Sequence, residues 1–132
     1  MVNRFPTIVI FITAAAWAGF SVWLGLNPGA LLLAFGVDQA TPQMLTEVRA
    51  FYGGVEMAIA VAIIVLWWRD EMFAALLVGG LPLLGSAFGR CIGLVVDGLS
   101  LIHLGLAALE FVGAGFCFAG SLIVSRESRK RD

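Results

Sequence analysis

Three pairs of ionisable residues recur at one spacing: Arg49 and Glu56, Arg90 and Asp97, His103 and Glu110 each stand seven positions apart. Seven residues are two turns of α-helix, so each pair is expected to share a face, about 10 Å apart along the axis. That is too far for a direct bond, so partners must come from neighbouring helices. Counted inward from the helix ends, the six sort into a shallow layer (Arg49, Asp97, His103) and a deeper one (Glu56, Arg90, Glu110). In the deeper layer one arginine faces two carboxylates. Arg90 can hold one of them by a two-pronged hydrogen bond, and Glu56 and Glu110 are then expected to hold one proton between them as a coupled pair. The sequence therefore predicts a buried polar site, with Tyr52 beside it on the second helix.

Such a set can do several things. Apolar walls with a few convergent polar groups suit a small-molecule site, in which Arg90 and Arg49 would recognise an acidic or carbonyl head. A proton-bearing glutamate with Arg90 near developing negative charge suits an acid/base enzyme, with His103 or Tyr52 as second proton-transfer group. The same residues can also simply fasten helices together. Tyr52 reads equally well as an interfacial anchor, His103 as a packing residue, and Trp17 and Ser21 as a further wall or as ordinary packing. One histidine cannot supply the paired ligands of a membrane haem, and Arg90 would repel a cation from Glu56, Glu110 and His103, so neither cofactor nor metal is expected. Phosphate loops, nucleophile motifs and dinucleotide fingerprints are absent from the sequence.

The elements that must position these residues are membrane helices. Of the 132 residues 61% are hydrophobic and 13% charged, about half the charged share of a soluble protein. No formal charge occurs from Thr7 to Val37. Four spans are predicted, over about 7–26, 48–68, 72–96 and 99–124, each near the roughly 20 residues that a bilayer requires. Period-two alternation, the mark of a membrane barrel, is missing. The expected fold is an all-α integral membrane protein, a four-helix transmembrane bundle forming a single domain. The first apolar run is too long for a cleaved signal and reads as a span. Arg4, Arg69 and the basic tail over 126–132 (Arg126, Arg129, Lys130, Arg131) fall on one side, which predicts that both termini are cytoplasmic. A net charge of −1 gives no field to attract nucleic acid.

The longest connection, between the first and second spans, holds "PGALLLAFG", too short to cross and expected along the interface or as a re-entrant turn. Thr41 before Pro42 reads as a helix start. Gly85, Gly89 and Gly93 recur every four residues, a smooth strip for close helix packing, with Gly53 and Gly54 in the same role on the second span. The neighbour of that strip can lie in this chain or in a second copy. Cys91 and Cys117 lie within spans, where a thiol packs as a small hydrophobe. The pairs Arg49/Glu56 and His103/Glu110 repeat at an offset of 54 residues, a faint internal echo.

"VRAFYGGVEMAIA" (48–60), "FGRCIGLVVDG" (88–98) and "ALEFVGAG" (108–115) resemble the hallmark segments of small bacterial membrane proteins catalogued as domain of unknown function 4345, DUF4345. The resemblance implies a four-helix inner-membrane protein. It also implies that Arg49, Tyr52, Gly53, Gly54, Glu56, Gly89, Arg90, Gly93, Asp97, Gly98 and Glu110 are pattern residues; His103 is not among them. No activity comes with it. The functional expectation is a protein of the bacterial inner membrane that binds a lipid-like small molecule or serves as an accessory subunit, alone, as a homo-oligomer or with a membrane partner. An isomerase-like enzyme and a proton-coupled transporter are the alternatives.

Overall fold

The structure is a computed structural model, and it describes residues 4–130. Within them the chain is helical throughout its ordered elements: α1 (Phe5–Leu26), α2 (Pro28–Ala34), α3 (Pro42–Val48), a π-helical segment (Arg49–Val55), α4 (Glu56–Trp68), α5 (Met72–Val96) and α6 (Leu101–Ser128). Helix α3, the π segment and α4 run on as one span. Four helices are long and apolar enough to cross a bilayer: Phe5–Leu26, Pro42–Trp68, Met72–Val96 and Leu101–Ser128. The second span thus starts six residues before the predicted 48, and the fourth runs through Arg126 into the predicted tail. Arg131 and Asp132 lie outside the described residues.

Local chemistry sets the boundaries. The hydroxyl of Thr41 accepts the N–H of Met44, with Pro42 in the first turn. Ser100 caps α6 in the same way through the N–H of His103. Gly98, at φ +114°, turns the chain between α5 and α6 where an L side chain would be strained. The "PGALLLA" stretch forms α2, a short helix packed against α1 and α3. Beyond it, the Phe35 ring lies 4.8 Å from the ring of His103, so this connection reaches over the end of the bundle.

The interior is small-grained. Ala14, Ala60, Ala75, Ala87, Ala114 and Cys117 are buried beside Ile10, Ile63 and Leu76, whereas Ile12, Phe20, Val61, Leu81, Phe116 and Leu122 stand exposed on the outside. Large apolar residues outside and small ones inside suit a lipid environment, where close backbone approach holds helices together. Close approaches occur at glycines: a Cβ on Gly80 would lie 2.7 Å from Cys117 Cβ, one on Gly79 2.9 Å from Thr13 Cγ2, and one on Gly53 3.1 Å from the backbone at Gly25 Cα. By contrast Gly85 and Gly89 meet nothing within 4 Å, Gly93 meets only Asp97, and Gly54 only the carbonyl of Arg49. The predicted glycine strip of α5 therefore contacts no helix among the described residues. The close crossings fall instead at Gly25, Gly79, Gly80, Gly113 and Gly120.

Helix α5 packs most extensively on α6, and α1 on α4 and the π segment, while the π segment and α5 barely touch. The Phe5 ring lies tilted near that of Phe116, Phe11 meets Trp67 edge to face, and Gly120 lies against Leu76. The start of α1, the end of α4, the start of α5 and the later half of α6 therefore share one end of the bundle. That end carries Arg4, Arg69, Arg126 and Arg129. Tyr52, Arg90, Asp97 and His103 occupy the other end.

Candidate functional site

The gap between the π segment and α5 leaves a cleft of about 450 Å³ at the non-basic end. Tyr52 reaches it from the π segment, Ser86, Gly89, Arg90, Gly93, Leu94 and Asp97 from α5, and His103 from α6. Without side chains, Gly89 and Gly93 hold one wall back. Gly89 and Gly93, which sequence reasoning assigned to packing, thus border open space, whereas Gly53 does pack, against Gly25.

Arg90 organises the site. Its Nε lies 3.1 and 3.0 Å from the two carboxylate oxygens of Glu110, and its Nη1 lies 3.1 Å from His103 Nδ1. Arginine is only ever a donor, so His103 Nδ1 accepts and the imidazole carries its proton on Nε2. Ser86, one turn before Arg90, donates to Glu110 Oε1 at 2.8 Å. Glu110 is thereby held from both sides, while the Nη2 edge of Arg90 has no hydrogen bond within the described residues. His103 and Glu110 are too far apart to bond one another, as their spacing requires, and Arg90 bridges them. Side chains on a helix lean toward its N-terminus, which brings Glu110 up toward the level of His103.

This differs from the two-layer network expected above. The side chains of Arg90 and Glu110 are 18% and 13% exposed, so the pair is half-buried and not buried. Arg90 links a shallow residue to a deep one, which merges the layers. Asp97 ends α5, exposed at the cleft mouth, with no ion pair among the described residues. Glu56 is half-buried, and its Oε2 is enclosed without a hydrogen-bond partner. The six ionisable residues therefore do not form one buried cluster.

Arg49 departs furthest. The predicted shared face of Arg49 and Glu56 assumes α-helical bonding, but Arg49–Val55 is π-helical, with the N–H of Glu56 bonding the carbonyl of Phe51. An i→i+5 turn takes up roughly one extra residue, which rotates Arg49 by about 100° relative to an α-helical register. Arg49 is exposed and lines a separate groove with Ser21, Val22, Gly25, Leu26, Gly53 and Met57. The equal spacing that suggested an internal echo hides unequal geometry.

The first span takes no part in the cleft. Trp17 Nε1 donates to the carbonyl of Gly79 at 3.4 Å, and the Ser21 hydroxyl donates to the carbonyl of Gly53. Ser21 thereby fastens α1 to the π segment, whose ladder leaves carbonyls open to such a bond. Thr13 Oγ1 lies 3.5 Å from the buried Cys117 Sγ. Sequence reasoning missed Ser86 and Phe35. Ser86 carried a signal, four positions before Arg90 on the same helical face; Phe35, in a loop-borne apolar run, carried none. No group of His, Cys, Asp and Glu among the described residues is placed to hold a metal ion.

Four apolar spans with a half-buried Arg–Glu–His arrangement opening on a cleft at one end define a small polytopic helical membrane protein. The chain belongs to the family described as domain of unknown function (DUF4345), whose model matches residues 5–121. No curated protein and no solved structure matches the chain.

Proposed function

We propose that the protein binds a membrane-soluble, lipid-like molecule. Its polar head lies in the cleft at Arg90, Tyr52 and His103, and its apolar part leaves through the gap between the π segment and α5. The observation that carries this reading is Arg90 itself: a half-buried guanidinium, bonded to Glu110 and His103, that lines a glycine-walled cleft and keeps donors without a hydrogen bond among the described residues. A purely structural ion pair has no need of open space beside it. Pockets with apolar walls and a few convergent polar groups are typical ligand sites. We place the protein in a bacterial inner membrane with both termini cytoplasmic, because Arg4, Arg69, Arg126 and Arg129 gather at one end of the bundle.

Photo-crosslinking tests the binding reading. A benzophenone amino acid at Leu94, inside the cleft, is expected to capture one defined small molecule in membranes. The same group at Ile92, exposed on the outer face of α5, is expected to capture bulk phospholipid. Identical adducts at both positions would refute the reading, and a protein adduct at Leu94 would favour an accessory subunit.

A further inference from the structure

We infer that the head group held in this cleft is uncharged and rich in hydrogen-bond acceptors, a neutral lipid bearing carbonyl oxygens, and not an anion. This rests on the binding reading above and narrows it. Arginines in membrane clefts invite an anionic ligand, but here the charge of Arg90 is already matched. Glu110 holds its Nε from behind at 3.0 and 3.1 Å. A second carboxylate, Asp97, stands at the cleft mouth with no cationic partner among the described residues. One positive charge and two negative ones leave the immediate surroundings net negative. An entering carboxylate or phosphate would meet Asp97 and find Arg90 already paired. A cationic head would meet the guanidinium.

The hydrogen-bonding groups point the same way. Arg90 offers its Nη2 hydrogens and one left on Nη1. His103 offers Nε2–H, because its Nδ1 is used in accepting from Arg90. The Tyr52 hydroxyl has no hydrogen bond within the described residues and lines the same space. The cleft thus presents several donors around one centre, and its only charged acceptor, Asp97, sits at the rim. Carbonyl oxygens satisfy such a set without bringing charge into low dielectric.

The test uses the full chain in dodecyl maltoside and follows the ligand-induced rise of its unfolding midpoint. The probes are two neutral carbonyl lipids (decylubiquinone and 1,2-dioctanoylglycerol) and one anionic lipid (oleate). At least one carbonyl probe is expected to bind tenfold or more tightly than oleate. Tyr52→Phe, which keeps the ring and removes one donor, is expected to weaken that binding at least threefold. Asp97→Asn is expected to raise oleate affinity by removing the rim charge. Oleate binding as tightly as either carbonyl probe in the wild type would overturn the inference and leave the binding reading standing. Failure of all three probes, with a chain that still unfolds cooperatively, would overturn both.

Discussion

Replacing Arg90 by methionine removes the cation but keeps most of the apolar stem, so the change isolates the guanidinium. Among the described residues the carboxylate of Glu110 would then keep only Ser86 as a partner, at 2.8 Å. Two unit charges about 4 Å apart attract by about 4 kcal/mol at the effective dielectric of a protein boundary. Removing one member of a fully buried pair costs about 3–5 kcal/mol, because the other charge is left uncompensated. Here the side chains are 18% and 13% exposed, so water relieves part of that cost, and about 3 kcal/mol is expected for Arg90→Met and about 2 kcal/mol for Glu110→Gln. With both removed neither charge is stranded. The double variant should lose about 3 kcal/mol instead of the sum of about 5, a coupling near 2 kcal/mol. Reversible unfolding of the four proteins in mixed dodecyl maltoside and SDS micelles measures all the terms. A coupling below about 0.5 kcal/mol, the range of an exposed pair, would show that Arg90 and Glu110 do not act as a unit.

Other consequences are as direct. Gly80→Ala would place a Cβ 2.7 Å from Cys117 Cβ, and overpacking of about 1–3 kcal/mol outweighs the helix-propensity gain of at most about 1 kcal/mol; Gly85→Ala, with nothing within 4 Å, should be neutral or slightly stabilising in the same unfolding assay. Deleting Ala50 should convert the π segment to α-helical bonding, turn Tyr52 out of the cleft and abolish ligand capture while far-ultraviolet circular dichroism stays helical. Ser21→Ala should cost about 1 kcal/mol by freeing the carbonyl of Gly53.

The spans were legible because a bilayer imposes one requirement, long apolar helices, that hydropathy reports directly. The caps at Thr41 and Ser100 belong to the same local grammar, although only Thr41 was recognised. Sequence could set Arg90 at the depth of two carboxylates but could not choose between Glu56 and Glu110; the packing of α5 on α6 makes that choice. Arg49 could not be placed, since a period of 3.6 is the default for any helical stretch and the switch to i→i+5 bonding in "RAFYGGV" leaves no mark in spacing. The glycines show a related limit. A small residue permits close approach without requiring it, so Gly89 and Gly93 border a cleft while Gly79 and Gly80, which break the four-residue rhythm, carry the contact with Cys117.

Native mass spectrometry of the gently extracted protein, wild type beside Arg90→Ala, bears most directly on the claim that the Arg90 cleft holds a membrane-soluble molecule. The account predicts one bound small molecule of defined mass on the wild type, lost from the variant while the variant remains folded. A bare wild-type mass, or the same molecule retained by Arg90→Ala, would contradict it.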